Sequence, residues 1–285
     1  MSNSQLLITG ATGNVGALVT EQLLARGIRP RVFVRDPDKA RATFGDRVDV
    51  AVGDLDDART LAPALRGVEA LFLVHSGEHL AELDRAAATV AKAAGVARIV
   101  KLSSLDAREQ VGTGAWHARG EAAIREVGVA HTFVQPSGVM SNALYWASAI
   151  KSDGAVRSAT GDGAIAFIHP HDIAAVCAAV LATRTYGNTA LPITGPAALS
   201  YAEMAAILGE VIGRELRFEP IGEDVARAQQ IAWRTAPAMV DARLSIFRAI
   251  REGRLATVTD TVERVLGRAP LSFRTWAEQN ADAFR

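Results

Sequence analysis

The chain has 285 residues, 49% of them hydrophobic and 22% charged, and its 31 Lys plus Arg balance its 31 Asp plus Glu. That length and apolar content support a sizeable core and exclude a disordered or fibrous chain, while the neutral balance leaves no global field for nucleic acid or an anionic membrane. The single cysteine, Cys177, excludes an intrachain disulfide framework and reads as a buried thiol; no run approaches the ~18 apolar residues of a membrane span and the N-terminus does not look like a signal peptide, so a cytoplasmic protein is expected.

Short β-rich runs alternate with helical patterns through the first 136 residues. Strands are predicted at 6–9, 31–35, 48–52, 70–74, 98–102 and 131–135, with the clearest helices at 15–26, 80–94 and 115–127. Strands spaced by helix-length segments need crossover connections and therefore form a parallel sheet. The predicted fold is α/β: a Rossmann doubly wound parallel sheet over 1–136, then a smaller C-terminal α/β substrate lobe over 137–285 with room for one returning Rossmann strand and helix. Past Pro136, helices are expected at 171–183, 201–212 and 224–251, and short strands near 191–194 and 216–220.

Directly after the first strand, and opening a helix, stands Gly10-Ala11-Thr12-Gly13-Asn14-Val15-Gly16. Gly10 suits a tight turn, Gly13 a close approach of backbone to a pyrophosphate, and Gly16 close helix-to-strand packing, with the helix N-terminus facing the anion. Gly10, Thr12, Gly13, Asn14, Val15 and Gly16 are thus expected at a dinucleotide. Arg35 ends the second strand where an NAD-selective site usually has an acid, and with Lys39 it suits a 2′-phosphate. NADP(H) is therefore the expected cofactor, with NAD possible if Asp36 takes the ribose instead. Asp54 and Leu55 follow the third strand near the expected adenine, where Asp54 equally suits a helix cap. Val74 and His75 after the fourth strand, and Pro136 after the sixth, lie at the sheet edge where ligands bind.

These residues resemble the NmrA-like branch of the atypical short-chain dehydrogenases/reductases. The resemblance rests on the glycine loop at 10–16, Val-Arg-Asp-Pro-Asp-Lys at 34–39, Gly-Asp-Leu at 53–55, Lys-Leu-Ser-Ser at 101–104, His117 and Glu121 in the next helix, the stretch from Gln135 to Asn142, and Phe-Ile-His-Pro-His-Asp-Ile-Ala at 167–174. It implies a small lobe over the nicotinamide, NADPH as the common cofactor, and either quinone, azo or triphenylmethane-dye reductase activity or redox sensing without turnover. The family pattern often has Arg where Gln135 stands.

The usual short-chain dehydrogenase pair is a Tyr with a Lys four residues later that lowers its pKa. Tyr145, Tyr186 and Tyr201 are instead followed at that spacing by Ala149, Ala190 and Ala205. At the corresponding place His117 is expected to donate a proton or hydrogen bond to a substrate carbonyl, since imidazole titrates near neutrality, or else to be a structural residue bonded to Glu121 one turn on or to a backbone carbonyl. Ser103 joins His117 as a catalytic candidate; Ser104, Met140, Tyr145 and Trp146 are candidates for holding a planar substrate. No metal site is expected, since His169, His171 and Asp172 lack a metal-ligand spacing. Two readings follow: an NADPH-dependent reductase of a small molecule, or an NADP(H)-binding sensor. Either is expected to act as a monomer or homodimer, without nucleic acid or membrane.

Overall fold

A computed structural model describes residues 5–285. The first half alternates β1 (Gln5–Thr9), α1 (Asn14–Ala25), β2 (Arg31–Val34), α2 (Pro37–Phe44), β3 (Asp49–Val52), α3 (Ala58–Ala64), β4 (Val68–Leu73), α4 (Leu80–Ala93), β5 (Arg98–Leu102), α5 (Thr113–Val127) and β6 (Ala130–Pro136). The rest runs α6 (Ala147–Asp153), β7 (Ala155–Ser158), β8 (Ala164–Ile165), α7 (Pro170–Ala182), β9 (Thr189–Ile193), β10 (Leu199–Ser200), α8 (Tyr201–Ile212), β11 (Arg217–Pro220), α9 (Glu223–Ala232), α10 (Pro237–Arg251), α11 (Thr261–Leu266) and α12 (Phe273–Gln279).

The main sheet is parallel throughout, with strand order β3-β2-β1-β4-β5-β6-β9. It has seven strands where six were predicted in the first 136 residues. The seventh is the short strand expected near 191–194, and α7 leads into it after a lobe excursion. Period-two alternation explains the double winding. Ile8, Val32, Phe72, Val100 and Val134 face a core shared with α1, α2 and α7, whereas Leu7, Phe33, Leu71, Ile99 and Phe133 face one shared with α3, α4 and α5. Cys177 of α7 is fully buried in the first of these cores, and burial pushes its thiol up.

The lobe has its own core, in which Phe167, Tyr201, Trp276 and Phe284 pack between α8, α12 and two small sheets, β7 with β11 and β8 with β10. The helix expected over 224–251 is two helices. The chain turns at Arg234, with φ of 56°, and Pro237 restarts it, since the fixed φ of proline suits a first helical turn, where its missing N–H costs nothing.

Strand order reverses between β1 and β4, and this is the crevice where doubly wound sheets bind ligands. Thr9 closes its floor: the buried hydroxyl donates to Phe72 O at 2.9 Å and accepts from Val74 N at 3.0 Å. Thr9→Val keeps the shape but strands both backbone groups. We predict a loss of about 1–3 kcal/mol in urea unfolding, with Thr9→Ser losing clearly less; equal stability of Thr9→Val and wild type would remove this role.

Candidate active site

Gly10 adopts φ of 63°, in the left-handed region, and its carbonyl accepts from Gly13 N at 2.9 Å to close the turn. A Cβ on Gly16 would lie 2.1 Å from Gly10 O, so only glycine lets α1 pack this close to the loop. Gly13 at the N-cap provides no side-chain hydrogen bond, and the first turn of α1 holds no acid. The unshared N–H groups and positive end of the helix dipole therefore face outward, beside exposed Gly10, Gly13 and Asn14 and half-buried Thr12 and Val15. That arrangement fits a pyrophosphate.

Arg35 and Lys39 are exposed at the tip of β2 and in the first turn of α2, and their side chains make no hydrogen bond or ion pair among the described residues. Asp36 is engaged otherwise than in the ribose reading: its carboxylate caps α2, accepting from Asp38 N at 3.0 Å and Lys39 N at 3.1 Å. Asp54 closes a local turn by accepting from Asp56 N at 3.1 Å, while Asp57 caps α3; Leu55 packs partly into the core beneath.

Under the carboxyl ends of β4 and β5 lies a buried charge cluster. Asp84 of α4 is fully buried, with Lys101 Nζ at 2.6 Å from Oδ2 and His75 Nδ1 at 2.7 Å from Oδ1. Burial works to raise the Asp84 pKa, but the His75 hydrogen bond and the Lys101 ammonium together hold it below the usual carboxylate range. Gly120 makes room for this carboxylate under α5, because a Cβ there would stand 2.2 Å from Asp84 Oδ2. Since ionised Asp84 accepts at Oδ1, His75 donates through Nδ1 and turns Nε2, which is buried without a partner, away from the cluster.

His117 departs from the expected pairing with Glu121 and from an acid role, and as a neutral imidazole keeps one ring N–H for hydrogen bonding. It does not pair with Glu121, whose carboxylate accepts from Ser103 Oγ at 2.6 Å, Gln135 Nε2 at 2.7 Å and Arg125 Nη2 at 3.1 Å. Nor does it titrate near neutrality. Burial, reinforced by the Lys101 charge against a smaller opposing effect of Asp84, lowers its pKa to about 3. His117 is therefore neutral across the physiological range, with Nδ1 buried and unpartnered. The Ser103 proton is committed to Glu121, whereas Ser104 accepts from Asp106 N at 3.2 Å and keeps its own proton free.

A cavity of about 450 Å³ opens over these groups. It runs from Val15 and Val74, past His75, Ser103, Ser104, His117 and Pro136, to a lobe wall of Tyr145, Trp146, Phe167, Tyr201 and Trp233. Met140 is absent from that wall. It is 1% exposed in the lobe core, pinned by its backbone N–H to Ile168 O at 2.9 Å, which turns the expected substrate contact into packing.

Sequence reasoning missed two charged groups here. Asp106 is 9% exposed in the cavity wall with no side-chain hydrogen bond among the described residues, and desolvation raises its pKa to about 6. Arg243 enters the same wall from α10. The only local signal was the position of Asp106 just beyond the Ser103-Ser104 pair; nothing near Arg243 in sequence points to the sheet.

The profile of the NAD(P)H-binding family matches residues 10–184. The chain is 39% identical over 98% of its length, and 99% of the relative's, to the (4-alkanoyl-5-oxo-2,5-dihydrofuran-3-yl)methyl phosphate reductase of Streptomyces griseus. It is 35% identical over 98% of its length to the NAD(P)H azoreductase of Xenophilus azovorans, covering 99% of that enzyme. The crystal structure of an NADPH-dependent quinone oxidoreductase of Escherichia coli, complexed with NADPH, superposes with a TM-score of 0.87 at 27% identity, covering 96% of this chain and 99% of that one. With the glycine loop, the sheet order and these full-length similarities in agreement, the chain belongs to the NAD(P)H-binding family, as an NAD(P)H-dependent oxidoreductase of the NmrA-like kind.

Proposed function

We propose that this chain is an NADPH-dependent reductase that places hydride on a planar unsaturated, carbonyl, quinone or dye-like small molecule without a Tyr–Lys pair. The observation that carries this reading is the continuity of one cavity from the first turn of α1 to the aromatic wall of the lobe. Val15 lies at one end and Tyr145, Trp146 and Trp233 at the other, so a dinucleotide on the glycine loop and a flat substrate would share one space. The azoreductase and the dihydrofuranyl methyl phosphate reductase among the relatives support this substrate class.

In this reading the backbone of Gly10, Thr12, Gly13, Asn14 and Gly16 holds the pyrophosphate, and Arg35 with Lys39 holds the 2′-phosphate. Asp54 and Leu55 would flank the adenine, and Val74, His75 and Pro136 the nicotinamide. NADPH, when bound, would supply the hydride. Orientation comes from Ser104, whose free hydroxyl donates to a substrate oxygen, while neutral His117 serves as a hydrogen-bonding wall rather than an acid. Ser103, its proton held by Glu121, offers only an acceptor. The proton comes from Asp106, the cavity carboxyl that burial keeps protonated to higher pH. The buried rings of Trp146, Phe167 and Tyr201 keep water from their side of the cavity.

Three outcomes test this reading. Purified protein is expected to oxidise NADPH with at least one of a panel of quinones, enones, azo dyes and triphenylmethane dyes; binding of NADPH with no oxidation across the panel would leave a sensor instead. Replacing Arg35 by Ala is expected to weaken NADPH about 10- to 100-fold in titration while changing NADH little; an equal change for both would remove the 2′-phosphate role. Asp106→Asn is expected to lower kcat about 10²-fold or more for substrates that need a proton, and wild-type kcat to fall as pH rises through about 6. The same titration changes stability. A carboxyl whose folded pKa exceeds 3.8 contributes stability below that value and loses it as pH rises through about 6, so the Asn variant should be more stable than wild type at pH 8, by about 1–3 kcal/mol in urea unfolding. A variant no more stable at pH 8 than at pH 4, relative to wild type, contradicts a buried, proton-retaining Asp106.

A further inference from the structure

We propose that Arg243 is an oxyanion-recognition site at the lobe end of the cavity, so that the preferred substrates are planar molecules carrying a carboxylate, sulfonate or phosphate ester. The inference rests on the reductase reading for what happens to the substrate, whereas binding at Arg243 does not require turnover.

Two guanidinium groups line the cavity, and they differ in one respect. Arg157 is neutralised within the protein, with Nε at 2.7 Å from Glu219 Oε2 and Nη2 at 2.6 Å from Asp153 Oδ2. Arg243 has no carboxylate within ion-pair distance among the described residues. It is instead positioned by neutral groups: Nη1 donates to Gln230 Oε1 at 2.7 Å, and the guanidinium lies over the Tyr145 ring, 5.1 Å from its centroid, with Nη2 3.4 Å from the Tyr145 hydroxyl. Gln230 is itself 5% exposed and also accepts from Thr235 Oγ1 at 3.3 Å, so the anchor is part of the packed lobe rather than a mobile surface side chain.

A cation held in place without a counter-charge, with N–H donors left over, is half of a charge-assisted pair. The surroundings define the other half. Tyr145 and Trp233 stack with their rings 15° from parallel and 6.5 Å apart, both more than half exposed, giving a flat apolar flank beside the guanidinium. The site therefore fits an aromatic or unsaturated ring whose substituent is an oxyanion. The protein as a whole has no net charge, so this preference cannot come from a general field. Position agrees too. The start of α5 packs directly on α10, where a Cβ on Gly112 would lie 2.5 Å from Ala242 O, so the helix that carries Arg243 is seated on the loop that carries Asp106. One relative in which nearly the whole chain is matched reduces a methyl phosphate ester, which is the same combination of unsaturated ring and oxyanion.

The test compares 1,4-naphthoquinone with its 2-sulfonate and 2-carboxylate as substrates, and 1-naphthol with 1-naphthyl phosphate as non-reducible ligands followed by quenching of Trp fluorescence. Wild type is expected to favour the charged member of each set by about 10- to 100-fold, in KM or in Kd. Arg243→Met should collapse that ratio toward one, Arg243→Lys should restore part of it, and Arg227→Met, which removes a surface cation paired with Asp241 at 2.8 Å, should leave the ratio as in wild type. The relative rank of carboxylate, sulfonate and phosphate identifies which oxyanion the site takes. Equal handling of charged and neutral members by wild type, or a ratio that survives Arg243→Met, overturns the proposal while leaving the reductase reading intact. Charge-selective binding that depends on Arg243, with no reduction of any quinone, would do the reverse.

Discussion

The arrangement of the site depends on one buried ion pair. Asp84 and Lys101 are both wholly removed from water, a placement that costs several kcal/mol per ion and persists only because each compensates the other. Breaking either half leaves an uncompensated charge, with a cost on the order of 3–5 kcal/mol. The pair joins α4 to β5, orients His75 at the end of β4, and requires Gly120 in the helix above. His117 is kept neutral chiefly by its own burial, with the Lys101 ammonium adding to the effect and Asp84 opposing it. The strand ends, the helix above them and the orientation of His75 are thereby fixed together.

That constraint distributes the labour across the cavity. The charges beneath the sheet edge are paired with one another and hold shape. Glu121 performs a similar service, gathering Ser103, Gln135 and Arg125 so that β5, β6 and α5 meet in one register. Groups with unspent hydrogen-bonding capacity lie on the cavity side: the Ser104 hydroxyl, the Asp106 carboxyl and the Arg243 guanidinium. Chain topology brings them together. After β6 the chain leaves the sheet, builds part of the lobe, and returns through α7 and β9; Ser137 Oγ donates to Ala166 O and Ser137 N to Ile193 O, clamping the exit and the return strand side by side. The lobe is thus anchored at the edge of the sheet next to the expected nicotinamide end.

Much of this was legible in the sequence, for local reasons. The alternating strands declare their two buried faces, and the glycine loop declares its turn and its close packing, because both patterns depend on neighbours in sequence. The readings that failed depend on distant partners. His117 and Glu121 share a helix face by spacing, but Glu121 is drawn to Ser103 and Gln135 on two strands, and His117 is left over the charge pair. Met140 has the chemistry of a flexible substrate wall and the position of a core residue, and only the return of 166–168 alongside it decides between them. Asp106 and Arg243 are ordinary surface residue types in the sequence. Their significance comes from burial without a partner in one case and from the lack of a counter-charge in the other, neither of which has a local signature.

The proposed function stands or falls on hydride transfer inside this cavity. The most direct measurement mixes the protein, without oxygen, with NADPH deuterated on the transferred position of C4 and an α,β-unsaturated lactone bearing a phosphate ester, and then locates the label. One deuterium is expected on the β-carbon of the reduced product, with a slower turnover than with unlabelled NADPH where hydride transfer limits the rate. Cofactor that binds tightly and retains its deuterium, here and with every other acceptor class, would contradict it.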